Sequence, residues 1–239
     1  LEIVGNNFLF YNRVLAHPDL PRLKEVGNGF CCHNNSLTNL ELPRLEKVGD
    51  KFLCENKTIA SLKLPKLKEA GYNFFCNNVA LQSLELPKLE KVDLNFLYFN
   101  KPLQFLKLPK LREVGDKFLY SNDSLKSLEL PRLEKVGSHF LYHNKSLRSL
   151  DLPRLKSVGD TFLYFNNPLQ SLDLPRLKTV GIHFLYHNKS LKSLNLPHLR
   201  IVGGFFLQCN NSLHLLKIPK LRTGQKHLIQ KALLVHLKL

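Results

Sequence analysis

The sequence predicts a mainly β solenoid of about ten 22-residue turns, and three observations predict it. Proline returns every 22 residues, at Pro21, Pro43, Pro65 and onward to Pro219, with no insertion or deletion between. Leucines hold fixed places around each proline: one before it, two after it, and sixteen and nineteen after it, with Ile218 and Ile59 as the isoleucine variants. Phenylalanine lies nine after each of the first nine prolines, from Phe30 to Phe206, and asparagine thirteen after. A fixed period of 20 to 29 residues with regular leucines marks a leucine-rich-repeat solenoid. The 239 residues therefore form one elongated unit over residues 1–222, closed by a C-terminal helix over residues 223–239.

Each column of the repeat has a physical role. In "LRSLDLP" (Leu147 to Pro153) alternate side chains point to opposite faces of a strand, so Leu150 and Leu152 face inward and Ser149 and Asp151 outward. Pro153 has no N–H for a ladder and belongs at the strand's end. The following Val-Gly pair, such as Val136-Gly137, suits a second short extended piece and then a bend or a close backbone approach. Neighbouring strands lie about 4.8 Å apart, so the phenylalanines stack into a spine with offset rings. One rung cannot enclose its own apolar side chains; stacked neighbours bury them.

The asparagines Asn34, Asn56, Asn78, Asn100, Asn122, Asn144, Asn166, Asn188 and Asn210, with Asn12 before them, form a second column. Six of them head an N-x-S/T sequon, Asn144-Lys145-Ser146 for example, which is the pattern of an N-glycosylation site. Asn100 and Asn166 keep the column without the sequon. The column is more regular than the motif, so it is expected to be a buried ladder whose amides satisfy backbone groups at a turn.

The net charge is +16, with an isoelectric point near 9.7. The residue after each proline is basic in nine of ten rungs, His198 being the tenth. Three after proline the signs alternate as Lys24, Glu46, Lys68, Glu90, Arg112 and Glu134; the columns four after and two before do the same. Opposite charges facing across adjacent strands stabilise the stack by roughly 0.2–1 kcal/mol per pair. Past residue 155 the alternation fails, and Lys156, Lys178, Arg200 and Arg222 are expected to stack without acidic neighbours. Arg132, Arg154, Lys156, Arg176, Lys178, Arg200, Lys220 and Arg222 thus form a candidate edge for a polyanion such as nucleic acid or a sulfated glycan.

The outward strand face is the other candidate. Its variable positions carry Phe105, Lys126, Arg148, Lys192 and His214 as candidate partner-binding residues. Phe105 is the unusual member, since an exposed aromatic side chain is a common binding anchor. Serine recurs elsewhere on this face, which favours solvated filler. Tyr98, Tyr120, Tyr142, Tyr164 and Tyr186, with Phe99, His143, Phe165 and His187 beside them, are expected to pack one column inward with hydroxyls reaching water.

Cys32, Cys54 and Cys76 share one column, while Cys31 and Cys209 have no evident partner, and all five are expected to be small buried thiols. His139/His143 and His183/His187 are H-x-x-x-H pairs without a fixed third ligand, so neither a metal nor another cofactor is expected. No nucleophile–base motif or phosphate-binding glycine loop is present, and no enzyme is expected. No apolar run reaches the roughly 18 residues of an integral membrane helix. The start at "LEIVG", in mid-repeat, suggests a fragment or processed product.

The pattern L-x-x-L-x-L-P-x-L-x-x-V-G-x-x-F-L-x-x-N resembles the BspA-type leucine-rich repeat over roughly residues 1–222. That repeat runs to about 23 residues, with Ala-Phe where this chain has Phe-Leu and often Cys where it has Asn. The resemblance implies a right-handed, curved coil with a parallel sheet on the concave face. It also implies a secreted or cell-surface protein, bacterial or protozoan, that adheres to host proteins or cells. The expected function is non-enzymatic binding of a protein or glycan partner by a monomer. The alternatives are an effector delivered into host cytoplasm and a polyanion binder using the basic edge.

Overall fold

The structure, a computed structural model, describes residues 1–225. Three ladders run along the stack of rungs, one on each side of the core. The first is a nine-stranded parallel sheet of two-residue strands, from Ile3–Val4 and Glu25–Val26 to Ser157–Val158 and Thr179–Val180. Partners are 22 residues apart throughout, as in Glu25↔Lys47 and Val26↔Val48. The second residue of each strand, valine except for Ala70, is buried and its predecessor is more exposed.

The second ladder consists of the three-residue strands ending in the L-x-x-L-x-L segments, from Asn39–Glu41 to Leu215–Lys217. They alternate as expected, with Leu150 buried between exposed Ser149 and Asp151. Their pairing is interrupted, however, between Ser61–Lys63 and Ser83–Glu85, between Ser127–Glu129 and Ser149–Asp151, and between Ser171–Asp173 and Ser193–Asn195. The continuous sheet is therefore on the Val-Gly side of the coil. Each proline sits second in a tight turn between the two sheets: the Leu133 N–H donates to the Leu130 carbonyl at 3.2 Å across Pro131-Arg132.

The third side is a corner of alternating backbone handedness. The residues eight, ten and twelve after proline have positive φ in rung after rung; 29 of them are not glycine, among them His139, Leu141 and His143. The left-handed conformation costs an L-residue roughly 1–2 kcal/mol. Hydrogen bonds to both neighbouring rungs offset that cost. His139 and His143 donate N–H to the Asp160 and Tyr164 carbonyls of the next rung at 2.8 and 2.9 Å, and Leu141 donates to Phe118 of the preceding rung at 3.0 Å. The alternation lets two consecutive residues, Phe140 and Leu141, both point into the core, which an extended strand forbids.

The phenylalanines stack as expected. Centroids from Phe30 through Phe206 are 5.0 to 5.5 Å apart with rings within 8° of parallel, and every ring is buried. The glycine column is required by close approach and not by φ. A Cβ on Gly159 would lie 2.7 Å from the Gly137 carbonyl carbon and the Ser138 nitrogen. Asp93 occupies one place in this column, and there the spacing opens: a Cβ on the next member, Gly115, would meet the Asp93 carbonyl carbon at 3.3 Å. Strand pairing at that point shrinks to Lys91↔Glu113 alone.

Of the helix expected over residues 223–239, the structure describes Thr223–Gln225, which form a 3-10 turn and not an α-helix. The rest of that expected helix lies outside the described residues. Among the described residues no helix is long and apolar enough to cross a membrane.

Candidate functional site

The outward face of the three-residue strands carries the candidate partner-binding residues. Phe105 opens its strand with its ring half exposed (50%), flanked in register by Ser83 and Ser127. Two residues on, Lys107 lies between Glu85 and Glu129, its Nζ at 3.7 and 3.9 Å from their carboxylates. These side chains line a shallow groove of about 270 Å³. Phe105 is thus an apolar projection beside a row of ion-paired charges, two carboxylates around one ammonium group.

Lys126, Arg148, Lys192 and His214 occupy the column just before these strands, with Gln170 interrupting it. The structure brings Lys126 and Arg148 together around a second groove of about 470 Å³, with Lys145, Ser146 and Pro168. Lys126 also donates to the Gln104 side-chain carbonyl at 2.9 Å. Lys192 and His214 lie farther along the stack and line neither groove; the His214 Nδ1 is 3.0 Å from the Ser212 carbonyl. Lys145, Ser146 and Pro168 were not among the candidates. They sit in the asparagine turn, which sequence places one segment before the strand and folding places beside it.

The basic edge is built by two columns. Where signs alternate, the charges pair: Lys24 with Glu2 at 2.9 Å, Lys68 with Glu46 at 2.6 Å, and Lys156 with Glu134. The Lys68 and Lys156 ammonium groups, by hydrogen bonding, hold the Glu46 and Glu134 carboxyls below their ordinary range. Lys156 therefore corrects the expectation of an unneutralised run: it has an acidic partner, and the run begins one rung later. Lys178, Arg200 and Arg222 are exposed and have no carboxylate within 4.0 Å among the described residues, and the same holds for Arg132, Arg154, Arg176 and Lys220. Lys156, Arg176, Lys178 and His198 surround a cleft of about 300 Å³. Residues 153–225 carry ten Lys and Arg against two acidic residues, Asp160 and Asp173, so this third of the chain holds half the net charge. His198 breaks the basic column in sequence yet lies in the cleft, its Nδ1 2.8 Å from the Pro175 carbonyl.

The asparagine column is the expected ladder. Asn34 through Asn210 are all buried. The Asn34 N–H donates to Asn56 Oδ1 at 2.8 Å, Asn56 to Asn78 at 3.0 Å, and Asn78 to Asn100 and Asn100 to Asn122 at 3.1 Å. Each Nδ2 reaches back to a corner carbonyl of the preceding rung, Asn144 to Leu119 at 3.0 Å and Asn166 to Leu141 at 2.7 Å. Three of the six sequon hydroxyls are used in the same turn, Ser146 Oγ donating to the Asp123 carbonyl at 2.6 Å. Asparagines enclosed in this way present no amide to a glycan-transferring enzyme while the coil is folded.

The tyrosines stack along the axis at half-buried positions, Tyr120 on Tyr142 at 4.6 Å and Tyr164 on Tyr186 at 4.9 Å. His143 and His187 flank Phe165 at 4.8 and 4.5 Å. Neither H-x-x-x-H pair lies on a helix, because the corner backbone alternates in handedness between its members. Among the described residues no three His, Cys, Asp or Glu side chains converge on a metal-binding centre. Cys31, Cys32, Cys54 and Cys76 are buried free thiols as expected, Cys31 being pushed up to about 12 by burial; Cys209 is only partly buried.

The model of the "BspA type Leucine rich repeat region" matches in six copies, over residues 24–132 and 112–229. No curated protein matches the chain. Among solved structures, a leucine-rich repeat protein from Bacteroides ovatus ATCC 8483 is similar at a TM-score of 0.67 and 21% identity, covering 93% of this chain and 66% of that one. The pneumococcal vaccine antigen PcpA is similar at 0.45 and 18%, covering 82% and 54%. A leucine rich cell surface protein from Faecalibacterium prausnitzii A2-165 follows at 0.35 and 11%, covering 96% and 86%. This chain thus spans just under two thirds of the first and about half of the second. Matched over most of its length by that family's model, and folded as the stacked coil its columns require, the chain belongs to the BspA-type leucine-rich-repeat family.

Proposed function

We propose that the protein is a non-enzymatic binding module, secreted or displayed at a cell surface, that holds a host protein through its outward strand face. The observation that carries this reading is Phe105. It is a half-exposed aromatic ring at the centre of a face whose nearest charges, Glu85, Lys107 and Glu129, are ion-paired with one another. Burying that ring against a partner removes apolar surface from water. Lys126 and Arg148 supply polar contacts on the adjoining groove.

A second reading is favoured by the C-terminal edge, where Arg176, Lys178 and Arg200 stand without acidic partners in their columns: recognition of a polyanionic glycan. One experiment separates the two. The fluorescently labelled chain is applied to cultured epithelial cells, with and without protease treatment of the cells, over a salt series. The outward-face reading expects saturable binding that protease abolishes and Phe105→Ser weakens at least tenfold. Binding that ignores Phe105→Ser, falls steeply with salt and disappears on changing Arg176, Lys178 and Arg200 to Glu would install the polyanion reading. No binding in either arm overturns host-cell adhesion.

A further inference from the structure

Cys32, Cys54 and Cys76 stand at the same corner position on three successive rungs, where the next five rungs have tyrosine. They are buried and form a small cluster of their own, separate from the main core and closed at one end by Tyr98. The thiols are not merely near one another. The Cys76 and Cys54 sulfurs are 2.7 Å apart, only about 0.7 Å beyond a covalent S–S bond of about 2.05 Å. The rung spacing of about 4.8 Å falls inside the Cα separation that disulfides span, about 4.4–6.8 Å. The contacts are also directional: Cys76 donates its S–H to the Cys54 sulfur, Cys54 donates to the Asn73 carbonyl at 2.7 Å, and Cys32 to the Lys51 carbonyl at 2.5 Å. Side-chain contact with Cys54 holds the Cys32 and Cys76 thiols below their ordinary range, while the same contacts, with burial, push Cys54 up.

We propose that this trio is an oxidative modification site, in which Cys54 and Cys76 close an inter-rung disulfide on exposure to a peroxide and Cys32 is a third thiol that can exchange into the bond. The Cys76 thiolate attacks one peroxide oxygen. The S–O bond forms, the O–O bond breaks, and the departing hydroxide takes up the proton that Cys76 gave up, leaving water and a sulfenic acid. The Cys54 sulfur then attacks the Cys76 sulfur; the S–S bond forms and the hydroxyl leaves with the Cys54 proton as a second water. Two thiols lose two electrons and one peroxide gains them. Attack of the Cys32 thiolate on Cys54 moves the bond to Cys32–Cys54 and releases the Cys76 thiol, with no net oxidation. Cys32 and Cys76 are two rungs apart, about 9.6 Å at the spacing above, and cannot bond to each other without Cys54.

The bond would matter because of where it lies. It ties the Cys54 and Cys76 rungs, two steps ahead of the one at which Asp93 opens the spacing and the continuous ladder narrows to a single residue pair. The stack would be fastened close to that opened step.

The test uses the whole 239-residue chain. Reduced protein is treated with hydrogen peroxide, folded or in denaturant, then alkylated, digested with trypsin and analysed by mass spectrometry. In the folded sample, peptide 52–57, with Cys54, is expected linked to peptide 69–88, with Cys76. A minor share is expected between 25–44, with Cys32, and 52–57. The Cys76→Ser variant should convert the product wholly to the second link, and Cys54→Ser should abolish both. If Cys54→Ser does not fold, the Cys76→Ser shift decides alone. Thiols that stay open to alkylation, or links no commoner in the folded chain than in denaturant, would overturn the proposal.

Discussion

The side-chain amide of Gln225 takes the place of a missing backbone at Val202. Its Oε1 accepts the Val202 N–H at 2.9 Å and its Nε2 donates to the Val202 carbonyl at 3.2 Å. Val202 is one of the last residues of the continuous ladder, where pairing has already thinned to the single bridge Thr179↔Ile201. An open sheet edge invites pairing with another chain. A glutamine amide has one donor group and one acceptor in the arrangement of a peptide bond, so among the described residues it closes the edge without continuing it. Gln225→Ala should leave the buried Val202 amide unpaired, at a cost of about 1–3 kcal/mol to the terminal rung. Amide hydrogen exchange at Val202 should speed up while Val136, in mid-stack, is unchanged. Equal protection in wild type and variant would show that the end is closed by something else.

The asparagine ladder makes a prediction for the middle of the stack. Asn144 Nδ2 serves the Leu119 carbonyl at 3.0 Å and the Tyr142 carbonyl at 3.3 Å, and the residue is fully buried. Asn144→Ala removes both donors and leaves the enclosed Leu119 carbonyl unserved, the Tyr142 carbonyl keeping the Ser121 N–H, for an expected loss of about 1–3 kcal/mol. Asn167→Ala, an exposed asparagine one rung on, should change stability by about 0.5 kcal/mol at most. Thermal or urea melts of the two variants check this, and coincident curves would remove the ladder as a source of stability.

The contrast between these residues shows what a sequence of this kind reveals. Columns such as Asn144, Phe140 and Leu150 were legible because every rung repeats the same demand, and nine copies separate requirement from accident. The corner at His139, Leu141 and His143 was not. Its cost in left-handed backbone is offset by hydrogen bonds to the rungs on both sides, so most rungs do without the glycine that usually marks such geometry; Gly29 alone carries that mark. A weaker signal lay one position earlier. Asn28, Asp50, Asp116 and Asp160 recur there because their Oδ1 atoms accept the N–H of the same position on the next rung, Asp160 from Ile182 at 2.8 Å. The candidate site was least legible of all. Phe105 occurs once in its column, and the column of Lys126 and Arg148 varies from rung to rung, so neither carries an internal check.

The glycine column gives a prediction of opposite character, about too much matter in place of too little. A methyl group on Gly159 would press on the Gly137 carbonyl carbon and the Ser138 nitrogen at 2.7 Å, and both are backbone atoms that cannot swing away. Gly159→Ala should therefore force two rungs apart and destabilise by about 1–3 kcal/mol, the usual range for overpacking. The Asp93 rung shows how the coil accommodates such a residue, by opening its spacing and losing part of one strand pair. Gly204→Ala is the control, since nothing lies within 4 Å of the added carbon. A Gly159→Ala melt equal to wild type would mean that the inter-rung contact is softer than its geometry.

The stack of His143, Phe165 and His187 predicts how stability follows pH. Both imidazoles are held below their ordinary value of 6.5, first by burial and then by the charges of Lys145 and Lys189 respectively. The His187 Nδ1 is enclosed with no hydrogen-bond partner among the described residues, so a proton placed there would go unserved. Depressed folded values mean that the unfolded chain binds more protons than the folded one as pH falls through about 6.5. The stabilisation is complete above that pH, declines below it, and stops declining once the pH is under the folded values. The paired carboxyls of Glu46 and Glu134 act in a lower window, losing their contribution only as pH falls below their ordinary 4.5. Melting temperature should therefore drop in two stages. Changing His143 and His187 together to Phe, which preserves the stacking, should flatten the upper stage and leave the lower one. An unchanged upper stage in that variant would transfer the effect to the remaining eight histidines and dismiss this stack as its source.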